Sequence, residues 1–377
     1  MEITVQVFTG GYKEHKVTYE MIEEKLTHIF KIIPVNKVIL GWAVDADLYR
    51  KVNGLLHEHG IESYLWLPVF SENGLLRSTT LLVDDQGEPV KSYSLKEGEN
   101  FEFYCPNDPR NIESLKEIYE AYYEEIDFDG VFLDKIRYGS FSNGLSGVFS
   151  CFCPACMKKY EKAGLDVSHL KEEMKKVRKH QEGYGQQALK MKSYKDGTYT
   201  FEDPVWEAFF MIKADSISDA LEDITAYFRG KHKKIGMDTF SPFTAYFAGQ
   251  DFARLGKMVD FIKPMMYRIT HAPAGLPFEY ECMQKETTGE QKEKKFDMEF
   301  VKSELEVLQK HQVTIFSGME VNYIKDVAEA DADYIIETLN GLGEQHIQGI
   351  VLSWDALSAP YENLKAVGDY ISKRGGT

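Results

Sequence analysis

The sequence predicts a parallel (β/α)8 barrel. Eight short, near-continuously apolar runs recur along 377 residues, and an amphipathic helical segment follows each. Parallel strands buried on both faces read as unbroken apolar stretches rather than as alternation. A third observation weighs against an open doubly wound sheet: no G-x-G-x-x-G follows the first run. The whole of 1–377 is read as a single barrel carrying two insertions.

The elements follow in order. ITVQVF (3–8) is the first strand and YEMIEEKLTHIFKII (19–33) its helix. KVILGW (37–42) is the second, followed by ADLYRKVNGLLHEHG (46–60), where Gly60 ends the helix as a C-cap glycine does. ESYLWLPVF (62–70) is the third, and after a long loop NIESLKEIYEAYYEEI (111–126) is its helix. FDGVFLDKIRYGSF (128–141) holds the fourth strand at Val131-Phe132-Leu133 and ends in charge, with Asp134, Lys135 and Arg137. KIGMDTF (234–240) and AGQDFARLGKMV (248–259) form the fifth unit, DFIKPMMY (260–267) and MEFVKSELEVLQKHQ (298–312) the sixth. TIFSGMEV (314–321) with 330–346, and IQGIVLSWDAL (347–357) with 361–374, complete the eight.

One insertion is a long loop or hairpin after strand 3, where LLVDDQGEPVKSYSL (81–95) reads as two short strands around Asp85-Gln86-Gly87. The other is a helical insertion after strand 4, over 157–204, with a basic piece LKEEMKKVRKHQ (170–181). A long helix, 205–230, returns to the barrel.

Composition narrows the partners. A formal charge of -16 argues against nucleic acid, since phosphate binding needs a basic face. The N-terminus shows neither a basic start nor a long apolar run, and no stretch approaches a membrane span, so a cytoplasmic protein without membrane contact is expected.

In such barrels the reacting groups sit at the C-terminal strand ends. Those ends offer Trp42, Trp66, Asp134, Arg137, Tyr138, Asp238, Lys263, Tyr267, Glu320, Asn322, Trp354 and Asp355. Carboxylates and aromatics in one ring suit a small carbohydrate, whose C–H faces stack on rings while its hydroxyls bond carboxylates. Metal-dependent hydrolysis is disfavoured: of ten histidines only His271 closely follows a strand end. No catalytic cofactor is expected. Glycoside hydrolysis needs two carboxyl groups, and Asp134 as nucleophile or base with Glu320 as general acid is the leading pair, because strands 4 and 7 face each other. Asp238 is the substitute if Glu320 faces away. Arg137 and Tyr138 would tune Asp134, Asp238 and Asp355 would contact hydroxyls, Trp66, Tyr267 and Trp354 would form the platform, and Trp42 and Asn322 would also bind substrate. A sugar-binding barrel without catalysis, or a sugar lyase or isomerase with Lys263 or Tyr267 as base, are the rival readings. Cys105 and the CFCPAC cysteines Cys151, Cys153 and Cys156 lie on neighbouring loops and could hold a structural Zn²⁺, or could be buried reduced thiols.

FDGVFLDKIRY, YCPNDPR, CFCPAC, GMDTFSPFTAYFAGQDF, DFIKPMMYR and LSWDAL together resemble the hypothetical glycosyl hydrolases, a group of (β/α)8 proteins. The resemblance spans most of the chain outside the helical insertion and implies a glycosidase. A more distant likeness is to chitinase-like glycosidases, whose strand 4 reads D-G-x-D-x-D-x-E. Aligned on Asp129-Gly130, Asp134 matches the last Asp, while Met265 and Tyr267 match the M-x-Y of strand 6. The acid Glu falls on Ile136, so the resemblance implies a proton donor that comes from elsewhere or is absent.

Overall fold

In the computed structural model, which describes residues 1–11, 17–71, 80–90, 102–181, 189–287 and 294–375, the eight apolar runs form one parallel sheet. Its strands are Glu2–Phe8, Lys37–Gly41, Glu62–Pro68, Gly130–Asp134, Lys234–Thr239, Phe261–Pro264, Phe316–Glu320 and Gly349–Ser353. Strands 1 to 6 pair in chain order, and strand 1 also pairs with strand 8, which pairs with strand 7. Parallel bridges Ile262–Ile315 and Met265–Gly318 join strand 6 to strand 7 and close the cycle. The fold is therefore a (β/α)8 barrel.

Every second side chain points inward. Ile39, Tyr64, Trp66, Phe132, Phe261, Phe316 and Val351 share one buried interior cluster. Two glycines make room for these rings. A Cβ on Gly236 would lie 2.3 Å from the Phe261 ring, and one on Gly130 would lie 2.4 Å from the Tyr64 ring. Outside, aspartates set the helix starts: Asp45, Asp297 and Asp331 each accept a backbone N–H in the first turn of the helix that follows.

The helices differ from the sequence reading in two places. The helix expected over 248–259 is shortened to Phe252–Leu255, and a separate helix, Pro242–Ala248, precedes it and ends at Gly249, which takes the left-handed conformation at φ +80°. A further helix, Leu276–Thr287, follows strand 6; its buried face includes Glu279, Gln284 and Thr287, which blurs the apolar period.

After strand 3, Val83 and Pro89 pair across the predicted turn, and Asp84 accepts the N–H groups of Gln86 and Glu88. The rest of that stretch, 91–95, lies outside the described residues, as does 183–188 of the second insertion. After strand 4 come helices Gly144–Val148, Pro154–Ala163 and Val167–Gln181. Then Met191–Lys195 and Thr198–Phe201 form an antiparallel hairpin rather than helix. The Asp196-Gly197 turn, with both residues at positive φ, is a hairpin signal present in the sequence. The long helix Val205–Gly230 returns to strand 5. Among the described residues no helix is long and apolar enough to cross a membrane.

Candidate active site at the barrel mouth

Strands 4, 5 and 6 bring three charged groups inward at one level. Asp238 and Lys263 are direct register partners, and Lys263 Nζ donates to Asp238 Oδ2 at 2.9 Å and to Gln6 Oε1 at 3.0 Å. Ser353 Oγ donates to the same Gln6 oxygen at 3.3 Å, so strands 1, 5, 6 and 8 meet in one polar knot. Burial pushes the Asp238 carboxyl up to about 7; Lys263 opposes the shift and the charge of Asp134 adds to it. Burial works to lower the Lys263 ammonium, but Asp238 and Tyr267 outweigh it, so the net direction is up. The Tyr267 hydroxyl is pushed up to about 12, by burial first. Asp238 Oδ1 has no hydrogen-bond partner among the described residues.

Asp134 is the neighbouring carboxylate. Trp66 Nε1 donates to its Oδ2 at 2.9 Å, and the Lys135 N–H to its Oδ1 at 2.6 Å. Lys135 reaches that position through a left-handed backbone, at φ +54°. Its ammonium lies 4.4 Å from the centre of a Trp42 ring, in cation–π range. Phe8, Trp42 and Trp66 pack edge-to-face beside the carboxylate, with Trp42 and Trp66 centroids 5.3 Å apart. Across the mouth, Tyr267 and Trp354 lie 6.3 Å apart, and Trp354 keeps part of its surface open. Trp66 thus serves as an anchor for Asp134 as well as a wall.

Glu320 stands elsewhere. It is fully buried; Ile269 N–H and Thr270 Oγ1 donate to Oε1 at 2.9 and 3.0 Å, and the Tyr334 hydroxyl donates to Oε2. Both oxygens are engaged in tying the segment after strand 6 to the helix Ala332–Leu342. Replacing Glu320 by Ala is expected to destabilise the protein by roughly 3–5 kcal/mol, because three buried donors lose their acceptor. A urea midpoint unchanged from wild type would contradict that clamp.

Four other expected contacts are engaged within the protein. Asn322 Oδ1 accepts from the N–H groups of Trp354 and Asp355, and its Nδ2 donates to Asp355 O and Ser358 Oγ. These bonds fix the loop that presents Trp354. Asp355 accepts from Phe8, Leu357 and Ser358, closing the same loop onto strand 1. The Arg137 guanidinium lies 4.3 Å from both the Phe103 and Phe240 rings, and its charge acts on the buried Glu279. Tyr138 is fully buried and takes a hydrogen bond from Asn107 on the cysteine side of strand 4. Gln6 and Ser353 were not singled out from the sequence, and Lys135 was noted only as part of the charge at the end of strand 4. The signal for Gln6 was available, since it shares inward parity with Phe8 in an otherwise apolar run.

Cys105, Cys151, Cys153 and Cys156 are all buried, and their Sγ atoms lie within 4.8 Å of one another. They form the one group of described residues with the donor set of a closed tetrahedral metal centre.

No family model and no curated protein matches the sequence. Solved structures do. The glycoside hydrolase domain of PgaB (BpsB) from Bordetella bronchiseptica superposes with a TM-score of 0.58 at 13% identity, covering 98% of each chain. An alpha-L-fucosidase, isoenzyme 2 from Paenibacillus thiaminolyticus, gives 0.57 at 13% identity over 100% of this chain, which spans 50% of that one. The C-terminal domain of a putative chitinase from Desulfitobacterium hafniense DCB-2 gives 0.52 at 12% identity, covering 99% of each. At these identities the likeness establishes the barrel fold.

Proposed function

We propose that the chain hydrolyses a glycosidic bond in a small saccharide or glycoconjugate, with Asp134 and Asp238 as the reacting carboxyls. One observation carries the reading: two inward carboxylates end adjacent strands beside an aromatic wall, near enough for Asp134 to raise Asp238. Their environments divide the roles. Asp238, up at about 7, holds a proton far above the ordinary carboxylate range and serves as general acid toward the leaving oxygen. Asp134, aimed by Trp66 and the Lys135 N–H, serves as nucleophile or as base for water. As the C–O bond breaks, the leaving oxygen takes the proton of Asp238; water supplies the new hydroxyl and returns a proton to the site. The glycosidases among the structural neighbours lend support to this reading.

Lys263 argues against the lyase or isomerase reading, because its net shift is upward and it stays charged, where a base must be neutral. Tyr267, at about 12, holds its proton near neutrality for the same purpose. One observation favours a second reading, a sugar-binding barrel without turnover: Ile136 occupies the acid position of the chitinase pattern and is wholly buried. A panel of aryl glycosides and oligosaccharides separates the two. New reducing ends support hydrolysis, and binding by calorimetry with the sugar recovered intact supports the second. Trp354, half-open at the mouth, is the stacking surface, and Trp354→Ala is expected to raise KM about tenfold, equivalent to ~1.4 kcal/mol. An unchanged KM would place the sugar elsewhere.

A further inference from the structure

The reaction makes no use of the cysteine quartet. We propose that Cys105, Cys151, Cys153 and Cys156 bind one structural Zn²⁺ as four thiolates. Zn–S bonds of about 2.3 Å place the sulfurs of a tetrahedron about 3.8 Å apart. Here Cys105 Sγ lies 3.5 Å from Cys153 Sγ and 3.4 Å from Cys156 Sγ, and all four fall within 4.8 Å. The quartet therefore has the size of the metal centre before any backbone movement. A pairwise disulfide arrangement would instead bring two sulfurs to about 2.05 Å.

The surroundings favour sulfur that carries negative charge. The Val83 N–H points at Cys151 Sγ at 3.4 Å, and Asn107 Nδ2 at Cys156 Sγ at 3.2 Å. Such N–H donors orient ligands and hold their charge. Cys153 is the N-cap of helix Pro154–Ala163 and Cys156 lies in its first turn, where the helix dipole favours an anion. Lys213, fully buried on the long helix, donates to Val148 O at 2.8 Å and stands 4.7 Å from the Tyr138 ring.

The topology gives the centre a purpose. Cys105 comes from the segment after strand 3 and the other three from the segment after strand 4, so the metal would staple the two long insertions together. Asn107 spans the same junction, donating also to Tyr138 Oη at 3.3 Å and Ser216 Oγ at 3.0 Å. A staple there would hold the outer side of strand 4, whose inner side presents Asp134.

The test is elemental analysis of the full chain purified without added metal. About one zinc per chain is expected, with Cys105→Ser and Cys156→Ser losing it and Cys282→Ser retaining it. Exchange with Co²⁺ should give intense thiolate-to-metal absorption and the d–d bands of a tetrahedral site. If the serine variants do not fold, titration of wild type with an organomercurial decides instead, since zinc should leave in step with four thiols. Metal-free protein, iron in place of zinc, zinc retained by the Cys105→Ser variant, or native disulfides among the four would each overturn the proposal.

Discussion

Asp134→Asn is expected to lower turnover by about 10³-fold or more while leaving the barrel folded. The effect is large because the amide can neither attack nor accept a proton. The structural cost is small and can be stated. Asp134 accepts two hydrogen bonds, from Trp66 Nε1 and the Lys135 N–H, and an amide can accept only one while facing the other with its own N–H. That mismatch should cost roughly 1 kcal/mol, visible as a modest fall in the melting temperature. Near-normal release of reducing sugar by the variant would remove Asp134 from the chemistry.

Asp238→Asn carries the second large effect, and its signature lies in pH. A general acid works while protonated, so activity of the wild type should fall as pH rises through about 7, where Asp238 loses its proton. The variant should lose both turnover and that alkaline limb. Activated aryl glycosides should restore part of the rate, because a phenolate leaves without protonation. An alkaline limb that survives in the variant would assign it to another group. The same shift makes a statement about stability. Between the carboxylate's ordinary value of 3.8 and about 7, the folded state holds a proton that the unfolded chain has lost. Stability therefore falls as pH rises across that window, and the Asn variant should flatten the slope. Lys263 keeps Gln6 as a partner in the variant, so the cost of the unpaired ammonium is only partly relieved, and circular dichroism must accompany the kinetics.

Much of this architecture was legible in the sequence because burial leaves a direct trace. Strands covered on both faces must be apolar throughout, so the eight runs stand out, and period-two alternation then gives Asp134 the inward parity of Phe132. Asp238 inherits its parity from Gly236 in the same way. The role of Glu320 was not legible. Nothing in TIFSGMEV reveals that Tyr334, Thr270 and the Ile269 N–H converge on that carboxylate from two other segments. The surroundings of Arg137 were not legible for a related reason: two aromatic rings from other segments flank its guanidinium. Hydrogen-bond donors from distant loops decide whether a strand-end carboxylate is a clamp or a reagent, and spacing alone does not encode them. The hairpin at 191–201 was a different omission, because Asp196-Gly197 was readable as a turn.

Buried charge also explains why the two acids are not equivalent. Lys263 lies nine-tenths or more within the protein, where Asp238 and Gln6 both accept from its ammonium. Asp134, with no such cation bonded to it in the described contacts, is held by neutral N–H donors alone. Burial raises Asp238 against the pull of the Lys263 cation, whereas neutral N–H dipoles orient Asp134, so the surroundings of the two carboxyls differ.

The most direct test of the central claim is mass spectrometry of the products formed from an oligosaccharide that the wild-type protein binds. Hydrolysis at Asp134 and Asp238 predicts fragments whose masses sum to the substrate plus one water, with a new reducing end, and no fragments from Asp134→Asn. Fragments that sum to the substrate alone and carry an unsaturated ring, or a bound sugar recovered whole, would contradict it.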